Sequence, residues 1–291
     1  MPIPKDVRVI DLHVNIPTSE HNKEGYDKFR SLLRDRESLD SYRMPAQHFF
    51  KDPPSLGADK SRYVEAVVAE MDKHNIGQAL IGVTDGFEHF GVISDRYADR
   101  FIFGTPVDPN GGVDEVRRIK RMHRDYGIKA ASFFPAGSTP QIAINAKEMY
   151  PIYATCCELD IPILVNVGVP GPRIPMATQK VEFIDEVCWF FPELKFVMRH
   201  GAEPWVDLAI KLMLKWPNLY YSTSAFAPKH YPKAIIEFAN KRGADKIMYA
   251  GYFPAGLTLD RIFAELEQVP FTDAVWPKFL RGNAARVFNL V

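Results

Sequence analysis

Three polar residues at alternate positions open the question of chemistry. In the segment IDLHVN, Asp11, His13 and Asn15 interleave with Ile10, Leu12 and Val14, and side chains of an extended strand point alternately to its two faces. The pattern predicts that the polar three face inward near the carboxyl end of a strand while the apolar three face surrounding helices. An imidazole there can carry a proton near neutral pH, an amide can hold an oxyanion, and Asp11 can orient the imidazole. A second imidazole, His200, ends the apolar run of KFVMRHGAEPW. Asn166 interrupts the aliphatics of IPILVNVG, where an amide is costly unless it faces a polar cavity. Arg173, in the stiff loop VPGPRIPMA, is placed to clamp a substrate carboxylate. The competing reading is a satisfied buried hydrogen-bond cluster without chemistry.

These residues need a scaffold, and the chain supplies a regular one. Strand-like runs occur at Val7 to His13, Ala79 to Val83, Phe101 to Val107, Ala130 to Phe134, Ile161 to Gly168, Lys195 to His200, Leu219 to Ser222 and Lys246 to Ala250. Helical spacing separates them, as in Tyr63, Val64, Val67, Val68 and Met71. Gly77 and Gly127 are expected as left-handed helix ends, Asn145 with Glu148 as a capping box, and Thr258 as a cap. Eight β/α units predict a TIM barrel as a single domain over residues 1–291, with an open doubly wound sheet as the fallback. One segment breaks the rhythm: Ile16 to Lys60, between the first strand and the first long helix, far exceeds an ordinary βα loop. It contains Gln47, His48, Phe49 and Phe50, and it is expected to rise over the catalytic face as a lid or to form a dimer contact, with His48 a candidate substrate contact.

Composition removes several classes. Thirty-six basic residues balance thirty-six acidic ones, so no electrostatic footprint for nucleic acid or an anionic membrane exists. No basic segment followed by an apolar one opens the chain, and no apolar run approaches membrane-spanning length, so a soluble cytoplasmic protein is expected. Three cysteines, Cys156, Cys157 and Cys188, supply neither a disulfide framework nor zinc spacing and read as structural thiols. The expected partners are a small-molecule substrate and a second copy in a homodimer.

The pieces IDLHVN, PILVNVGVPGPR, FVMRHGAEPW, DKIMYAGYFP and the terminal RGNAARVFNL resemble, in order and over nearly the whole chain, the amidohydrolase-related family. That branch of the amidohydrolase superfamily includes aminocarboxymuconate-semialdehyde decarboxylase, the resorcylate-type decarboxylases and pyrone-dicarboxylate lactonase. The resemblance implies a distorted (β/α)8 barrel and, in most members, a divalent metal. The metal is held by a His-x-His pair, a histidine on each of the fifth and sixth strands and an aspartate after the eighth. Carried over by position, the set here is His13 with Asn15, Asn166, His200 and Tyr252, in which only two imidazoles remain. Two imidazoles, two amides and a phenol make a poor transition-metal site, so no metal and no cofactor are expected unless His21, His48 or His230 rebuilds one.

Without a metal, the residue types present suit acid-base catalysis and hydrogen bonding to developing charge. The reading is a metal-independent hydrolase of an ester, lactone or activated carbonyl bond in a small cyclic, carboxylated metabolite. His200 or His13 serves as base, and Tyr252, Asn15 and Asn166 stabilise the oxyanion. A non-oxidative decarboxylase is the second reading, and a barrel that has lost catalysis and serves as a binding protein is the third.

Overall fold

The expected runs form eight parallel strands: β1 (Val9–Asp11), β2 (Ile76–Gly82), β3 (Phe101–Pro106), β4 (Ala130–Phe133), β5 (Ile163–Asn166), β6 (Phe196–Arg199), β7 (Leu219–Ser222) and β8 (Ile247–Met248). They lie side by side in chain order in one sheet, the order of a singly wound barrel rather than of a doubly wound sheet. The structure is a computed structural model and describes residues 3–19, 23–40, 42–50 and 52–290. Helices α1 (Lys23–Arg30) and α2 (Arg36–Asp40) belong to the insertion after β1. The crossovers contain α3 (Tyr63–Lys73), α4 (Phe90–Arg96), α5 (Gly112–Tyr126), α6 (Tyr150–Glu158), α7 (Phe183–Phe190), α8 (Val206–Lys215) and α9 (Lys233–Lys241). After β8 come α10 (Leu259–Leu266) and the terminal α11 (Asn283–Val287). None of the described helices is long and apolar enough to cross a membrane.

Alternation along the strands sorts the core into two layers. Outward residues such as Ile163, Val165, Phe196 and Met198 pack with the helices, where α3 buries its whole stripe of Tyr63, Val64, Val67, Val68 and Met71. Inward residues form a separate cluster with one or more side chains from every strand, among them Ile10, Leu80, Leu164, Val197 and Met248. Ala284, Val287 and Phe288 join that cluster from the C-terminal segment and close the barrel at its amino-terminal end.

The inward cluster corrects the expected facing of the first strand. Ile10 and Leu12 point into the barrel, and Asp11 points the other way, against Tyr249. Two causes are visible. The lower layers of a barrel interior are apolar, and Asp11 Oδ1 accepts the His13 N–H at 2.9 Å. That short side-chain loop ends the strand and turns His13 toward the mouth. The same oxygen accepts the Gly251 N–H at 2.8 Å. With Leu12 N–H donating to Tyr249 O at 3.3 Å, Asn15 N–H to Phe253 O at 2.9 Å and a bridge from Val14 to Phe253, it closes β8 onto β1 without a regular ladder.

Two of the expected helix ends hold. Gly127 is left-handed past α5, and Thr258 caps α10 by accepting the Arg261 N–H at 3.3 Å. Gly77 instead lies inside β2, and Asn75, at φ 54°, makes the left-handed turn after α3. Asn145 caps nothing; its amide donates to Glu186 at 2.7 Å.

The insertion crosses the carboxyl ends of the strands and presses on their loops. A Cβ at Gly171 would stand 2.8 Å from Ala46 Cβ, and one at Gly256 would stand 2.6 Å from the Phe50 ring. Only glycine permits these two approaches.

Candidate active site

Beneath the insertion lies a cavity of about 1090 Å³, walled by strand ends below and by Tyr26, Phe29, Phe49 and Phe50 of the insertion above. His13, Asn15, Asn166, His200 and Tyr252 all line it. Three of them form a near-equilateral group of rings. His13 and Tyr252 stack with centroids 5.0 Å apart, His13 and His200 meet edge to face at 5.1 Å, and His200 and Tyr252 do so at 5.5 Å. Phe50 stacks on Tyr252 at 5.0 Å.

His200 owes its aim to an unusual backbone. Its φ is 65°, a left-handed conformation that costs a residue with a Cβ roughly 1 kcal/mol or more. Ser224 holds it there: Oγ accepts the His200 N–H at 3.2 Å and lies 3.0 Å from ring Nδ1. A hydroxyl can donate to or accept from Nδ1, so it supports the ring in either tautomer and leaves Nε2 for the cavity.

A further inward group is Arg199, which sequence reasoning missed. It is the register partner of Asn166 across β5 and β6, and its Nε donates to Asn166 Oδ1 at 2.5 Å. The missed signal is alternation itself, since Arg199 stands two residues beyond the inward Val197. Burial and this guanidinium together push His13 down to about 3 and hold His200 well below its ordinary value, so both imidazoles are neutral at pH 7. Burial lowers Arg199 to about 10, leaving it charged, and raises the Tyr252 phenol, leaving it protonated.

A family model described as amidohydrolase matches residues 10–290. The chain belongs to the amidohydrolase family. It is an enzyme of the amidohydrolase superfamily, in the amidohydrolase-related branch. An uncharacterized TIM-barrel protein of Bordetella bronchiseptica superposes on this amidohydrolase with a TM-score of 0.73 at 20% identity, covering 97% of this chain and 98% of the other. The 5-carboxyvanillate decarboxylase of Sphingomonas paucimobilis gives 0.67 at 14% identity, with 98% and 100% covered. A probable 2-pyrone-4,6-dicarboxylic acid hydrolase of Acinetobacter baumannii gives 0.62 at 14% identity, with 97% and 99% covered. These likenesses carry the fold. No curated protein matches the chain.

Three residues of this amidohydrolase that the sequence assigned to substrate lie elsewhere. Arg173 does not line the cavity; its Nη1 donates to Asp35 at 2.8 Å and to Glu37 at 2.9 Å, tying the loop after β5 to α2. His48 turns to the same place, with Nε2 3.1 Å from Ser38 Oγ. Asp11 is buried behind the wall at the closure of the barrel. Of the loop histidines, His230 lines the cavity and His21 lies outside the described residues. Among the described residues, the His, Cys, Asp and Glu side chains that gather tightly enough for a cation are Glu70, His74 and Asp260, none of which lines the cavity.

Proposed function

We propose that this chain is a hydrolase of an ester, lactone or activated carbonyl bond in a small cyclic, carboxylated metabolite, and that it works without a divalent metal. The observation that carries the reading is the ring group of His13, His200 and Tyr252, neutral imidazoles and a protonated phenol facing one cavity. The family's metal does not fit the donors that stand in its positions. Asn166 gives its oxygen to Arg199, Tyr252 keeps its proton, and a guanidinium beside them repels a cation.

The chain's own groups supply a route. His200, braced by Ser224 at Nδ1, takes a proton from water at Nε2 as the water oxygen bonds to the substrate carbonyl carbon. The carbonyl oxygen becomes an oxyanion, held by the Tyr252 hydroxyl and the amide N–H groups of Asn15 and Asn166. The proton then passes from His200 to the leaving oxygen as its bond to carbon breaks. The aromatic ring of Phe50, stacked on Tyr252, lowers the polarity around these contacts and strengthens them.

A decarboxylase reading draws support from the protonated phenol stacked on His13, which can deliver a proton to carbon. One experiment separates the two. Chelator-treated enzyme is offered cyclic lactones, aryl esters and aromatic carboxylates, and products are read by NMR. Ring-opened or cleaved acids support hydrolysis. Loss of carbon dioxide without water addition overturns it, and activity that returns only with added metal overturns the metal-independent part.

A further inference from the structure

Arg199 brings a positive charge into the barrel and forms no ion pair with Asp108 or Glu203, the carboxylates that line the cavity with it. Other arginines with little exposure are paired: Arg118, 20% exposed, with Glu115 at 2.7 Å, and Arg100, 13% exposed, with Asp72 at 2.7 Å. Of the other cations along the cavity, Arg261 donates to Glu265 at 2.9 Å, and Lys28 Nζ lies 5.1 Å from the centroid of the Phe29 ring. Among the described residues, Arg199 pairs with no carboxylate, and its one hydrogen bond spends Nε on a neutral amide. A guanidinium has five N–H donors in a planar fork, so the Nη donors are left facing the cavity. Buried charges are retained where something pairs with them, and here the missing partner has to enter with the substrate.

We infer that Arg199 is the anion-binding residue of the cavity: its Nη groups take an anionic oxygen of the substrate, a carboxylate on a flat ring, and hold it beside His13, His200 and Tyr252. Asn166 acts on this through Arg199, fixing the plane of the fork from its Nε edge. The ring follows from the walls, where Phe29, Phe50, Phe134 and Phe226 offer aromatic faces. Arg199 also places a fixed charge among the positions where the family pattern has metal ligands, so the site keeps a cation without recruiting one. The inference rests on reading the cavity as the active site of the proposed hydrolase, and it adds the residue that reads the substrate's carboxylate, Arg199 in place of the expected Arg173.

The test is calorimetric titration of the intact protein with benzoate and with benzamide, its neutral isostere. Wild type is expected to bind benzoate at least roughly tenfold more tightly than benzamide, the scale of one charge-assisted pair. Arg199→Met is expected to lose that preference while binding benzamide as before, and Arg199→Lys to keep part of it. Thermal melts establish that each variant is folded; should Arg199→Met fail to fold, the Arg199→Lys titration and the wild-type preference decide. Equal binding of the two probes by wild type, or an undiminished preference in folded Arg199→Met, overturns the inference. Benzoate preference that depends on Arg199, together with no hydrolysis across the substrate panel, sinks the hydrolase reading and leaves this one standing. Hydrolysis indifferent to Arg199 and to substrate charge does the reverse.

Discussion

Tyr252 lies flat on His13, with ring centroids 5.0 Å apart and planes 15° from parallel. Its hydroxyl makes no hydrogen bond to the described residues, so packing rather than a polar partner holds the phenol in place and the O–H is left for substrate. Tyr252→Phe removes one oxygen and little volume. It is expected to lower turnover by roughly two to three orders of magnitude, as loss of an oxyanion donor does, with an unchanged melting curve. Parental turnover would make Tyr252 a packing residue and remove the donor from the mechanism.

His200→Asn tests the base. The side chain retains a polar group beside Ser224 but cannot accept a proton from water near neutral pH, so kcat is expected to fall by roughly two to four orders of magnitude. Ser224→Ala, which frees Nδ1 and the strained backbone, is expected to cost less. A Ser224 variant more damaged than His200→Asn, with both folded, would shift the chemistry away from the imidazole.

The ion pairs of Arg173 with Asp35 and Glu37 lie at the surface and contribute little to stability. Their importance is in where they act, since they pin α2 to the rim. Arg173→Met is expected to lower the melting temperature by no more than about 3 °C. Hydrogen exchange across residues 32–48 should accelerate severalfold, as should exchange of wild type at high salt. Unchanged exchange in the variant would deny the insertion its latch.

Burial raises Asp11 from 3.8 to about 7. Between those pH values the unfolded chain releases the proton while the folded chain keeps it, so stability declines as pH rises through that window and levels off above it. Asp11→Asn keeps an acceptor for the His13 and Gly251 amides and cannot ionise. Urea unfolding should show the variant more stable than wild type at pH 8, by up to about 4 kcal/mol, and matched to it near pH 4. A variant destabilised equally at both pH values would mean that the carboxylate is welcome where it sits.

Emission spectrometry of protein purified without added metal is expected to find no stoichiometric zinc, manganese or iron. Cation loosely held by the half-buried Glu70 and His74 with the exposed Asp260 should leave on chelation without loss of activity. One firmly bound metal per chain, needed for turnover, contradicts the proposed chemistry.

Much of this was legible in residue order. The eight strands follow from alternating runs, the cavity positions of His13, Asn15, Asn166 and His200 from their places at strand ends, and that of Tyr252 from the family resemblance. Errors arose where local pattern and tertiary context diverge. Asp11 looked inward because polar residues in a barrel strand suggest a mouth, yet β1 is three residues long and its lower layer is core. Arg173 and His48 looked like ligands because their partners, Asp35, Glu37 and Ser38, are set by how the insertion folds back, which spacing does not encode. Arg199 hid as an ordinary basic residue beside a more conspicuous histidine.

The C-terminal segment packs Ala284, Val287 and Phe288 against the inward cluster at the far end of the barrel, and so the cavity at the carboxyl ends of the strands is backed by solid core on that side. A chain shortened before Asn283 would therefore lose more than a tail: the apolar inward cluster of Ile10, Leu80, Leu164, Val197 and Met248 would lose its cover and meet solvent from below.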